Sequence, residues 1–418
     1  MKFNKWTVAL AAVGVVSLAS AAKAEEKASA VMTALSSTTL SGYVDTSAQW
    51  NFGTGNAHPA PYKFNTPSKA DGFNLDVIQL RIEKPLDESE WAAGYRVDLW
   101  AGPDANTLGT QSVGAGARSD FAIRQAYVAL RTPVGNGIDW KVGVFDSIIG
   151  YESVESPNNP NYTRSYGHSI EPQTHTGIVG TYRFTDMISA SAGVADTVGP
   201  VINSRAQLGS IPAGANPYPE SYKTYMASIA LTAPDSMGFL SGSTLYGGVV
   251  NGYNNSVLGT GAGMPSLNAY IGGTIATPVT GLRLGAAWDL LSVDTTFNTA
   301  QGVPAGTKVE GDAWSIAGYA SFQATEKLSL HGRLEYFSAD IDRPPGVVIP
   351  FLGGLRENGI LAATATVQYD LWKNVISRLE LRWDHVEHGN LFGGTTGAAA
   401  AANANNAVML AANIIYKF

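Results

Sequence analysis

The chain has 418 residues, 27 of them basic and 34 acidic, with a formal charge of −7, only 15% charged residues and no cysteine. An acidic chain without basic clusters argues against nucleic-acid binding, and without cysteine there is neither a disulfide framework nor a lipid-bearing cysteine anchor. Low charge combined with 46 glycines and 10% aromatic residues is unusual for a water-soluble protein of this length.

The first 24 residues have the three parts of a secretory signal: basic Lys2 and Lys5, an apolar run from Thr7 to Ala19, and Ala22-Lys23-Ala24 as the cleavage site. That run is too short to span a bilayer as a helix. Residues 1–24 are therefore expected to be cleaved on export, and the loss of Lys2, Lys5 and Lys23 takes the formal charge from −7 to −10. Residues 25–39 are expected to form a short polar leader of one or two helical turns. No later segment has the character of a spanning helix. Leu391 to Tyr416 is uncharged, but its small and polar residues would insert poorly.

Alternation of apolar and polar residues begins at Leu40 and predicts strands near 40–50, 74–84 and 91–99. It continues at 120–131, 138–146, 174–184, 187–197, 222–233, 241–252, 267–278, 282–293, 312–324, 328–340, 358–370, 376–388 and 407–418. In the clearest two, Leu328, Leu330, Leu334 and Tyr336 oppose Ser329, His331, Arg333 and Glu335, while Leu379, Leu381 and Trp383 oppose Arg378, Glu380, Arg382 and Asp384. Wound as helices, neither would present a coherent apolar face. Short turns alternate strictly with long loops, seven short and eight long, and both chain ends fall on the short-turn side. Trp91, Trp140, Tyr182, Phe184, Tyr369 and Tyr416 recur on the apolar face at those short-turn ends, as expected at a lipid–water boundary. Strands of about ten residues fit a tilted bilayer span. The fold class predicted is all-β: a transmembrane antiparallel β-barrel of about 16 strands over residues 40–418, with short periplasmic turns and long extracellular loops. A barrel of that size leaves an aqueous channel.

Asp146 to Gly177 is the longest span without alternation, and its Pro157-Asn158-Asn159-Pro160 rules out a long helix or a central strand. This third long loop, about 147–173, is expected to fold into the lumen and narrow it; an ordinary mobile surface loop is the alternative. Its candidate constriction residues are Tyr151, Glu152, Glu155, Arg164, His168 and Glu171, with His175 just beyond. Candidate pore-wall residues are Arg96, Asp98, Arg333, Glu335, Arg378, Glu380, Arg382 and Asp384. Charges of both signs could orient dipolar solutes, or could simply brace the wall and pin the loop. The net acidity suggests a mild cation preference.

The last strand ends in Tyr416 and Phe418 on its apolar side, which resembles the signal by which outer-membrane barrels are recognised for assembly. RQAYVALRTPVGNGIDWKVGVFDSIIGYES, NNPNYTRSY and EPQTHTGIVGTY, within Ile123–Asp196, together with the opening LSGYVDTSAQWNF, resemble the OmpL-like β-barrel porin family of bacterial outer membranes. That resemblance covers about residues 38–418. It implies passive entry of small hydrophilic solutes, with Gly150, Tyr151 and Glu152 at the head of the third loop and Glu171-Pro172 at its exit. A homotrimer is usual for 16-stranded pores of this kind. The competing function is a surface-structural or adhesin-type barrel with a closed pore.

Enzyme chemistry has no support: G-x-S-x-G, a Walker loop and H-E-x-x-H are all missing from the sequence. GTGAG at 259–263 has the character of a flexible loop. Asp384-His385-Val386-Glu387-His388 is the best metal-like cluster, but on a strand its histidines diverge, so no metal or cofactor is expected. The expected partners are the outer-membrane lipid, the diffusing solutes and the assembly machinery.

Overall fold

A computed structural model describes residues 31–32, 37–53, 57–110, 119–206, 222–254, 264–297, 306–342, 358–394 and 401–418. The signal segment 1–24, most of the leader and the GTGAG stretch at 259–263 lie outside the described residues.

Sixteen antiparallel strands carry the chain back and forth: β1 (Thr39–Phe52), β2 (Gly72–Lys84), β3 (Ala92–Ala101), β4 (Phe121–Thr132), β5 (Ile138–Asp146), β6 (Thr174–Arg183), β7 (Ile188–Ala195) and β8 (Thr224–Thr232). The second half continues with β9 (Thr244–Asn254), β10 (Met264–Ala276), β11 (Leu282–Phe297), β12 (Thr307–Gln323), β13 (Leu328–Asp342), β14 (Asn358–Trp372), β15 (Val375–Val386) and β16 (Asn406–Lys417). Each pairs with its neighbours in sequence, and β16 pairs with β1 from Val408↔Phe52 to Lys417↔Tyr43. The sheet is thereby closed into a barrel. At the seam Gly42 and Phe418 exchange two backbone hydrogen bonds of 3.0 Å. A Cβ on Gly42 would overlap the Gln79 carbonyl oxygen and crowd the Phe418 ring, so only glycine fits there.

The predicted period of two is visible in the side chains. Along β13, Ser329, His331, Arg333, Glu335 and Phe337 are buried on the inner face, while Leu330 and Leu334 are exposed on the outer face. The outer face carries a broad apolar band, and Trp91, Phe184, Tyr369 and Tyr416 stand exposed at its short-turn end. Phe52, Phe73, Phe121 and Tyr225 form a second exposed aromatic row at the long-loop end. An apolar band bounded by two aromatic rows is the surface a bilayer requires. Among the described residues no helix is long and apolar enough to cross a membrane. Among the described residues the α-helices are two short loop segments, α1 (Pro103–Leu108) and α2 (Tyr166–Ile170).

Three details differ from expectation. The leader is not helical at Val31–Met32, which pairs with Leu40 and Thr39. Because β16 runs out opposite Gly42, Thr39 and Leu40 have a free edge whose backbone groups need partners. Second, β11 and β12 extend as far as Phe297↔Thr307, taking residues from the loop between them. The connection 298–306 is consequently shorter than the nominally short turn 233–243, and the alternation of short and long is not strict. Third, β-bulges occur at Asp45/Thr46 against β2 and at Asp98/Leu99 against β4, which leave Asp76 and Arg124 as extra residues. A bulge turns two consecutive side chains to one face. Asp76 with Val77, and Arg124 with Gln125, are accordingly buried side by side.

Candidate functional site

The segment 147–173 leaves β5 and returns to β6 as a stapled hairpin. Gly150 makes the exit turn at φ 119°, with the Glu171 carboxylate where a Cβ would lie. Pro157 sits in a single 3-10 turn over Ser156–Asn158. The Asn159 side chain accepts from Ser153 N at 2.8 Å and donates to Ser153 O and Glu155 O. α2 is capped by Ser165, whose hydroxyl accepts from His168 N at 3.1 Å. Nearly every residue of the segment is buried.

What buries it is the inner face of the wall. Arg333 donates to Glu152 at 2.8 Å and to Thr163 O at 2.9 Å, and its Nε reaches Glu335 at 3.2 Å. Arg382 holds Asp384 and donates to Arg164 O at 2.8 Å, with its guanidinium 4.2 Å from the Tyr62 ring centroid. Arg378 donates to Asn159 O at 2.6 Å and to Ser156 O. The wall acids take the loop's backbone donors. Glu380 accepts from Tyr162 N at 2.6 Å and Thr163 N at 2.9 Å, and Glu335 accepts from Tyr166 N at 2.7 Å. Asp384 accepts from the Tyr166 hydroxyl at 2.8 Å. From the other side, Asn268 donates to Ile170 O at 3.0 Å and the Tyr246 hydroxyl to Gly150 O. Charge-assisted bonds of this sort contribute about 1.5–3 kcal/mol each, so the attachment is strong and distributed.

The remaining predicted residues divide. Glu155 meets Arg96 at 3.1 Å, Arg124 at 3.3 Å, and Arg81, while those arginines also share Asp98. Burial alone would raise the Glu155 carboxyl, but Arg81, Arg124 and Arg96 outweigh it and hold it below the ordinary range. Arg164 does not oppose the loop acids. Its guanidinium donates to Ser153 O, Tyr162 O and Val154 O and closes the hairpin. Tyr151 stacks on Tyr319 with centroids 4.2 Å apart. His168 lies 3.5 Å from Glu171, and its ring nitrogens make no hydrogen bond. Burial, with Arg164, Lys63 and Arg333 nearby, keeps that imidazole well below its ordinary pKa. His175 lies outside this network, at 3.2 Å from the Ser147 hydroxyl. Asp384 and His385 of the metal-like cluster point to opposite faces, His385 stacking on Trp383.

Several participants had escaped notice in the sequence. Arg124 and Asp76 reach the inner face through the bulges, at positions whose parity assigns them to lipid. Lys69 bridges Asp76 and Asp104, each at 2.6 Å, and so ties the first two long loops together. Apolar packing continues the same connection. Tyr62, Tyr166, Ile170 and Phe392 share one buried cluster, and Phe64, Ala105, Leu108 and Val154 share another.

A family model described as "Putative beta-barrel porin-2, OmpL-like" matches residues 37–418. No curated protein matches the sequence. Among solved structures, the outer membrane channel DcaP of Acinetobacter baumannii superposes with a TM-score of 0.55 at 12% identity, over 91% of this chain and 97% of that one. The anion-selective porin from Comamonas acidovorans gives 0.56 at 11% identity, over 91% and 99%. The in-vitro-folded OmpT of Vibrio cholerae in its trimer form gives 0.54 at 12%, over 91% and 99%. At these identities the likeness is one of fold.

Proposed function

Because the chain belongs to the OmpL-like β-barrel porin family over residues 37–418, we propose that it is an outer-membrane porin, a water-filled channel for passive diffusion of small hydrophilic solutes. The third long loop, 147–173, is its constriction. The observation that carries this reading is the attachment of that loop to Arg333, Glu335, Arg378, Glu380 and Arg382 on the inner face of β13 and β15. A loop held across the interior by backbone and side-chain bonds narrows a 16-stranded lumen that would otherwise pass almost any small solute. In this account most of the predicted wall charges are pins: the Arg333 and Arg382 side chains are 0% exposed. The protein is exported through a cleaved signal at residues 1–24 and works as a homotrimer without catalysis. Tyr416 and Phe418 serve as the assembly signal.

The test is swelling of liposomes containing the purified, folded protein, using neutral sugars of graded size. Swelling with a monosaccharide that falls away steeply by the trisaccharide supports a narrowed channel. Equal rates across the series would remove the constriction. The second reading, a surface-structural barrel with a closed pore, is favoured by the apolar contacts that join the first, second, third and last long loops. No swelling with any solute would establish it in place of the first.

A further inference from the structure

The two sides of the third loop differ in wetness. On β13 and β15 the arginines and acids that hold it are sealed. On β2, β3 and β5 they are not: side-chain exposure is 20% for Arg81, 18% for Arg96 and 29% for Glu83. These residues all belong to the inner face, so the water they meet is luminal. Lys141, half-buried on β5, holds its ammonium 5.3 Å from the Tyr127 ring centroid, with no ion pair or hydrogen bond among the described residues.

Resting on the porin reading, we infer that the charge filter of this channel is the strip formed by Arg81, Arg96 and Lys141, and that it favours solutes bearing a carboxylate or phosphate. The formal inventory around the strip is balanced, since Arg81, Arg96, Arg124 and Lys141 face Asp98, Glu155, Asp146 and Glu83. Its arrangement is not. Asp98 is 0% exposed and Glu155 9%, so both acids lie behind the arginines that share them. Asp146 is 2.6 Å from Arg124 at the root of the loop. The Arg81 and Arg96 side chains spend Nε and Nη2 on those buried acids. Arg81 Nη1 remains for a passing solute, while Arg96 Nη1 lies 3.9 Å from the Glu83 carboxylate. Two acids stand among the three cationic tips, Glu83 beside Arg96 and Asp146, 26% exposed, beside Arg124. A solute anion on this path therefore meets three cationic groups, whereas a cation meets two carboxylates that each already have a cationic neighbour. The sign is opposite to the one suggested by net acidity, because the whole-chain charge counts residues that never touch the lumen.

The test uses the full-length barrel in planar bilayers under a gradient of potassium chloride, then of potassium gluconate. Wild type is expected to reverse on the anion side. A unit charge acts at ~7 Å through water with about a threefold effect on local ion concentration. Lys141→Gln, which depletes anions and enriches cations by that factor each, should therefore lower the anion-to-cation permeability ratio by roughly sevenfold, Lys141→Glu by roughly fiftyfold, and Glu83→Gln should raise it. Lys141 has no partner to strand, so its variants should fold. A cation-selective wild type, or a ratio unmoved by both Lys141 variants in a conducting channel, overturns the filter and leaves the porin reading intact. A folded barrel without current overturns the porin reading, and the filter with it.

Discussion

Replacing Arg333 with methionine strips the loop of its most connected pin. The guanidinium serves Glu152, Glu335, Thr163 O, the Thr163 hydroxyl, Arg164 O and Thr364. Glu335 keeps a cation, because Arg382 lies 3.3 Å away. Glu152 does not. Among the described residues only Ser165 N at 2.7 Å and the Tyr319 hydroxyl at 3.3 Å still donate to it, and it stays buried. Removing one partner of a buried ion pair costs about 3–5 kcal/mol. At 1.4 kcal/mol per factor of ten, the docked-to-undocked ratio of the loop should fall by roughly 100- to 3,000-fold. The strand pairing is untouched, so heat-modified electrophoresis should still show a folded barrel. Single-channel current should become noisy and its mean conductance should rise. Arg333→Met with Glu152→Gln should recover part of the loss, because the stranded charge is gone. A quiet channel of unchanged conductance in the single variant would refute the pinning account.

Two further predictions concern proton binding and barrel closure. Burial, with Asp289 and Glu152 adding to it, pushes the Glu171 carboxyl well above its ordinary range, so the docked loop holds a proton that a released loop gives up. Docking should therefore weaken as pH rises past the ordinary carboxylate value, and Glu171→Gln should flatten that limb. His168 acts with the opposite sign: its depressed pKa makes docking weaken as pH falls below the ordinary histidine value, and His168→Gln should flatten the acid limb. Channel noise recorded between pH 4 and 9 reads both, and a profile unchanged by either variant would contradict them. Gly42→Val should reduce the yield of closed barrel in refolding assays, at an overpacking cost of about 1–3 kcal/mol. Gly318→Ala, whose new Cβ would approach nothing closer than 4.0 Å, should be silent; equal yields from the two would remove the steric role of Gly42.

All sixteen strands were legible because one face of each meets lipid, which enforces a period of two. Their ends were less so: β11 and β12 lengthen because Asp294 to Phe297 find cross-strand partners, a tertiary fact with no local signature. The third loop was legible from the break in alternation and its prolines, and most of the charges it touches from their place on polar faces. Asp76 and Arg124 were not, since a bulge inverts parity within a strand and depends on the partner strand's register. The role of Arg164 was also hidden. A lone arginine among acids suggests an opposing charge, yet this one is turned onto backbone carbonyls that only the folded hairpin brings together.

The most direct test of a pore narrowed by its third loop is single-channel recording of wild type beside a deletion of residues 153–169. The account predicts stable steps from both and a clearly larger conductance from the deletion. Equal step sizes from two folded barrels would contradict it.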